Sequence, residues 1–214
     1  MKIGILGSGD VGCALAKAFR DEGHEVMIAT RDPKGDKAKD LKSKLDVRVG
    51  SFFATAEYGE IAVLCTLWTA TEEAIALADR KNLDNKIVVD VTNPLDFSAG
   101  MPPTLLLGTN DSGGEQVQRW LKDSKVVKAL NIVGNAQMYK PSFGNITPTM
   151  FYCGNDKGAK EIVHTILLSF GWRPVDIGDI KGARELEPMC VLWVKYGIAT
   201  GGWNHVLSVL EKNE

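Results

Sequence analysis

"MKIGILGSGDVGCALAKAF", residues 1–19, is the stretch on which the rest of the chain depends. Lys2 to Leu6 has the short, Ile-rich character of a buried strand, and from Val11 onward apolar residues fall at helical spacing. Between the two lies Gly7-Ser8-Gly9-Asp10-Val11-Gly12, a G-x-G-x-x-G turn in the strand-to-helix context where that pattern holds a dinucleotide. Gly7 permits the tight turn, Gly9 leaves room for a pyrophosphate against the backbone, and Gly12 lets the helix pack closely on the strand. N–H groups around Asp10 and Val11 then face the phosphates along the positive end of the helix dipole. The Asp10 carboxylate is expected to point away from them or to cap the helix.

Beyond this unit, short Val- and Ile-rich runs alternate with segments of helical period. KIGIL, EVMIAT, VRV, IAVLCT, KIVVDV, KVVKAL and MFYCG read as strands in that order. Val11 to Phe19, Asp36 to Leu45, Glu72 to Ala78 and Gln116 to Leu121 read as helices. The alternation implies an α/β fold, a doubly wound parallel sheet of the Rossmann type occupying residues 1–153. One connection, Thr92 to Gly113, is too long for a simple turn and is expected to be functional. Residues 154–214 change character into a small C-terminal α/β-to-helical unit. A helix capped by Asn155 or Asp156 comes first, then the strand RPVDIG, then an aromatic helical stretch from Ala183 to Leu210. The aromatics Trp193, Tyr196 and Trp203 there are expected to form a core, a dimer seam, or a wall for a ring-shaped ligand.

Which dinucleotide is held depends on the end of the second strand. NAD readers place an acid there for the ribose hydroxyls, whereas NADP readers offer hydroxyl and guanidinium groups to the added phosphate. The sequence has Ile28-Ala29-Thr30-Arg31-Asp32-Pro33-Lys34, so Thr30, Arg31 and Lys34 favour NADP(H). Asp32 is the alternative, an NAD-type acid displaced in register. Its simpler role is as N-cap of the next helix, with Pro33 as first helical residue.

Composition narrows the partner. The 214 residues carry a formal net charge of −2, which supplies no basic field for nucleic acid or acidic membranes. No apolar run approaches a membrane span and the N-terminus lacks signal-peptide character, so a cytoplasmic protein acting on a small molecule is expected. Cys13, Cys65, Cys153 and Cys190 are too scattered for a metal site and read as buried, unpaired thiols. His24, His164 and His205 read as structural.

The motifs GILGSGDVG, ATRDP, IAVLCTLW, VVDVTNP, TNDSGGEQVQRWL, VVKALNIVGNAQM and FGWRPVDIG together resemble the NADPH-dependent deazaflavin (coenzyme F-420) reductases and their bacterial relatives. They are also similar to the cytosolic domain of six-transmembrane metalloreductases. The resemblance covers nearly the whole chain and implies hydride transfer between NADPH and a deazaflavin or flavin. It also implies that Thr66, Leu67 and Trp68 after the fourth strand, Asn93 after the fifth, and Asn135 and Ala136 after the sixth join the cofactor cleft. Around the sixth strand, where archaeal members carry His and Pro, this chain has Asn131 and Gly134. No catalytic acid or base is assigned. Two other functions stay open: a small imine or hydroxyacid reductase using Lys195, and a non-catalytic NADPH-binding sensor. A homodimer is expected, because the aromatic C-terminus needs cover.

Overall fold

In a computed structural model, which describes residues 1–212, the first strand-turn-helix unit is β1 (Lys2–Leu6) and α1 (Asp10–Asp21). The chain continues through β2 (Glu25–Ala29), α2 (Asp36–Leu45), β3 (Arg48–Gly50), α3 (Phe52–Tyr58), β4 (Ile61–Leu64), α4 (Thr71–Ala78) and β5 (Ile87–Asp90). Next come two short strands, β6 (Leu95–Asp96) and β7 (Thr104–Leu105), then α5 (Gly113–Trp120), β8 (Lys125–Lys128) and β9 (Thr149–Gly154). Helix α6 (Lys157–Ser169), β10 (Arg173–Asp176) and α7 (Ala183–Thr200) complete the order.

Eight of the strands form one sheet in the order β3-β2-β1-β4-β5-β8-β9-β10. The order steps outward from β1 in one direction and restarts at β4 in the other, so the switch point of a doubly wound sheet lies between β1 and β4. Alternate residues feed cores on the two faces. Ile3, Ile5, Ile28, Val63 and Val89 pack with Leu15 and Phe19 of α1 and Val163 and Leu167 of α6. Leu6, Ala29, Leu64 and Val88 pack with Ala56 of α3, Ile75 of α4 and Val117 of α5. Each fully buried side chain of this kind stabilises the fold by about 1.5–3 kcal/mol, and filled faces on both sides explain why the strands read as continuous apolar runs.

The sheet is parallel from β3 through β8, but β9 pairs antiparallel to β8, with Val127 opposite Gly154, and β10 runs parallel to β9. A parallel successor to β8 would require a crossover helix, and residues 129–148 contain only the short 3-10 turn Asn135–Gln137. The chain therefore stays at the carboxyl end of β8 and turns straight back. Strand β10 continues the same sheet beyond residue 154.

Several local expectations are corrected. Helix α2 starts at Asp36 with Gly35 as N-cap, so Asp32 and Pro33 lie in the preceding turn, where the Asp32 carboxylate accepts from the N–H groups of Lys34 and Gly35 (3.1 and 3.0 Å). Asp10 is the first helical residue of α1 rather than its cap. Helix α3 has no counterpart in the sequence reading, although Ser51 caps it by accepting from Ala54 N–H at 3.1 Å. Helix α5 begins at Gly113, earlier than Gln116, with Ser112 as N-cap: its hydroxyl accepts from Glu115 N–H and donates to the Glu115 carboxylate. Helix α7 ends at Thr200 rather than Leu210: Gly201 takes φ +69°, and residues 201–212 run back without regular structure, His205 among them.

Candidate functional site

Three adjoining cavities run across the carboxyl edge of the parallel strands, of about 670, 230 and 370 Å³. Val11 borders all three, Cys65, Thr66 and Leu67 border the first two, and Val91 and Asn93 the last two, so they make one trough.

The first and largest lies at the switch point, against Gly7, Ser8, Gly9, Asp10 and Val11. Gly7 stands at φ +141°, and a Cβ there would come within 2.6 Å of the Cys65 carbonyl oxygen. A Cβ on Gly12 would sit 2.1 Å from the Gly7 oxygen, so Gly12 faces the strand and not the cavity. A Cβ on Gly9 would meet nothing within 4 Å. Helix geometry leaves the N–H groups of Asp10, Val11 and Gly12 without intrahelical acceptors, and no side chain caps them. An open glycine beside unpaired donors fits an anion brought against the backbone.

At the end of this cavity are Thr30, buried, and Arg31, exposed. Lys34 does not border it; Lys37, near the start of α2, does. Across the cavity Glu73 of α4 accepts from Arg31 Nη2 at 3.1 Å. Burial pushes the Cys65 thiol up to about 12, with neighbouring Cys13 adding to the shift, so it stays protonated.

The middle cavity is bordered by Thr66, Leu67, Trp68 and Asn93, with Leu95 and Phe97 from the start of the long connection. Trp68 stacks on Trp120 of α5, ring centroids 5.5 Å apart, and so also serves as packing. The third cavity holds Asn93, Asn131, Gly134, Asn135 and Ala136, walled by Trp193 and Trp203. Here the reversal of β9 has its effect, since it keeps the 134–136 corner at this edge. Asn93 donates to the Asn131 backbone oxygen at 2.8 Å, which turns its own amide oxygen toward Asn131 Nδ2 at 2.9 Å. That chain of donors leaves Asn131 Oδ1 as a buried acceptor with no partner among the described residues. Leu130, on the same wall, stands at φ +60°, a costly conformation for a branched side chain and one that clusters at functional sites.

Beneath the trough is a fully buried ion cluster. Lys128 Nζ lies 3.0 Å from Asp90 and 2.9 Å from Glu187, and it donates to the Thr92 carbonyl oxygen. Burial alone would pull the Lys128 pKa down, but the two carboxylates outweigh it and raise it, so the ammonium is held charged. Glu187 also accepts from Gly113 and Gly114 N–H at the start of α5, which ties α7 to the strand ends that carry Asn93 and Asn131.

The trough thus gathers Gly7 through Val11, Thr30, Arg31, Thr66, Leu67, Trp68, Asn93, Asn135 and Ala136, and leaves out Gly12 and Lys34. Lys195 is exposed and borders none of its cavities. Lys37 and Glu73 were missed as lining residues, and Asp32, weighed as an NAD-type acid, also lines the first cavity; no local signal marks Glu73.

Residues 2–94 match the family model described as NADP oxidoreductase, coenzyme F420-dependent. The chain is 30% identical over 210 residues to the F420-dependent NADP reductase of Methanocaldococcus jannaschii, covering 92% of this chain and 93% of that protein. A crystal structure from Arthrobacter sp. FB24, whose description names an F420-dependent NADP reductase, superposes with a TM-score of 0.93. It shares 38% identity, and the match covers 99% of this chain and 100% of that one. Metalloreductase STEAP3 of Rattus norvegicus is 29% identical over 187 residues, 87% of this chain but 36% of that protein.

Proposed function

The chain belongs to the family of coenzyme F420-dependent NADP oxidoreductases, and on that premise we propose that this NADPH-dependent oxidoreductase transfers hydride between NADPH and a deazaflavin or flavin. Bound NADPH would supply the hydride. Gly7 to Gly9 and the free N–H groups of Asp10 and Val11 seat the pyrophosphate. Thr30 and Arg31 take the 2′-phosphate, with Lys37 adding positive field. Thr66 to Trp68, Asn93, Asn135 and Ala136 border the nicotinamide.

One observation carries the choice of acceptor class. Among the described residues, the linings of the two cavities beyond the phosphate turn contain no Asp, Glu, His, Lys or Arg. Their ionisable side chains are the thiols of Cys65 and Cys190, which burial pushes up to about 12 and about 11. Reduction of an imine or ketone calls for a positioned proton donor. Transfer between two rings calls for orientation and exclusion of water, with the chemistry residing in the rings. Trp193 and Trp203, centroids 5.3 Å apart, supply an apolar wall for that purpose, and α7 with the segment behind it closes this end of the cleft. The exposed Leu192, Tyr196 and Ile198 of α7 support a homodimer formed on that helix.

Asn135 is exposed on the third cavity, whose lining shares only Val11 with the cavity at the phosphate turn. An Asn135→Phe variant is expected to bind NADPH within a few-fold of the parent while hydride transfer falls at least about tenfold, since misaligned reactants lose rate steeply. Stopped-flow absorbance of NADPH oxidation with coenzyme F420, FMN and FAD checks it. A variant as fast as the parent with every acceptor refutes this placement of the reacting rings.

A further inference from the structure

We infer that Glu73 sets the cofactor preference of this site by competing with the 2′-phosphate for Arg31; the inference rests on the assignment of Arg31 to that phosphate. The two side chains come from separate elements, the turn after β2 and the first turn of α4, and meet across the same 670 Å³ cavity at 3.1 Å. A place in the first turn of α4 accounts for an acid there, because the helix dipole favours one. It does not account for an acid that holds the one guanidinium lining the trough among the described residues.

The side chains are 68% and 59% exposed, so the bridge is screened by water and weak. A phosphomonoester, carrying close to two negative charges, can displace a single carboxylate from such a bridge. The displacement is not free of cost. Any oxyanion held by Arg31 Nη2 lies next to the carboxylate that occupied it, and like charges at that separation repel. Asp32, the other acid beside Arg31, accepts through Oδ1 from the N–H groups of Lys34 and Gly35, and the Arg31 guanidinium pairs with Glu73 instead. NADH brings no phosphate to this position; its ribose hydroxyl can donate to Glu73 while the bridge to Arg31 persists. Glu73 therefore penalises the phosphorylated cofactor selectively and keeps the preference for NADPH below what Arg31 alone would give.

The test is calorimetric titration of both cofactors against the parent, Glu73→Gln, Arg31→Ala and the double variant. Both positions are exposed, so the variants are expected to fold. Glu73→Gln should tighten NADPH about three- to fivefold at about 50 mM salt, the range of an exposed ion pair, and leave NADH within about twofold. The gain should shrink near about 0.5 M salt as screening removes the repulsion. In the Arg31→Ala background the same substitution should give a clearly smaller gain, because the competition for the guanidinium is gone and only the repulsion remains. Unchanged or weaker NADPH binding by Glu73→Gln overturns the inference, as does a gain that is undiminished without Arg31. Arg31→Ala reports separately on the underlying assignment: a selective loss of NADPH upholds it, and equal losses of both cofactors refute it and the inference together.

Discussion

Gly9 and Gly12 stand three residues apart in one motif and answer to different constraints. The space beyond Gly9 is open, whereas a Cβ on Gly12 would collide with the Gly7 oxygen at 2.1 Å. Gly9→Val, at an ordinary φ of −84°, should therefore keep its unfolding midpoint while losing at least about tenfold in NADPH affinity, because the side chain takes the space assigned to the pyrophosphate. Gly12→Ala should lose about 3 kcal/mol of stability, the upper end of overpacking costs, since the obstacle is backbone and cannot rotate away. Urea denaturation beside cofactor titration separates the two. Equal stability losses, or a Gly9→Val variant that binds NADPH as the parent does, would contradict the division of labour. Such roles are legible in sequence because the motif is local. The Arg31–Glu73 pairing spans forty-two positions and carries no comparable mark.

Helices α5 and α7 form the clamp that holds the far end of the trough. Glu115 of α5 accepts from Arg184 of α7 at 2.8 and 2.7 Å, and Glu187 of α7 accepts from the first N–H groups of α5. The hydrogen-bonded Arg184 holds the Glu115 pKa below the ordinary carboxylate value, against the smaller opposing effect of burial. A depressed folded-state pKa contributes stability above the unfolded value, about 4.3, and that contribution is lost as pH falls through the folded value. Acidification from about pH 6 to about pH 3 should therefore cost the parent more stability than a Glu115→Gln variant, compared by urea midpoints at each pH. An identical loss in both would remove Glu115 from the clamp. The start of α5 was available in the sequence as Ser112-x-x-Glu115, an N-cap with an acid in the first turn. Its partner on α7 was not, because a cap names its own helix and says nothing of what docks on it.

For the whole molecule, the exposed apolar residues Leu192, Tyr196 and Ile198 of α7 are those on which a second copy is proposed to pack. Light scattering should give twice the 23.3 kDa chain mass, and Leu192→Glu should halve it; a parent at the chain mass at high concentration would refute the dimer. Described residues include no helix long and apolar enough to cross a membrane. By itself the sequence determined the doubly wound sheet, the strands β1 to β5 and β8 with helices α1, α2, α4 and α5, and the glycine turn, but not α3, β6 or β7; what was read is written in short-range periodicity, glycine spacing and strand-end position. Tertiary structure alone decided the reversal of β9, the buried junction of Lys128 with Asp90 and Glu187, and the return of residues 201–212 behind α7. A strand's direction depends on which edge of the sheet its connection leaves from, and a buried charge is tolerated only where distant segments bring its partners to it. Neither condition is a property of neighbouring residues. That is why the glycine turn and the strand end at Thr30 and Arg31 could be read from their motifs, while the amide pair and aromatic wall at the far end of the trough became visible only in the folded chain.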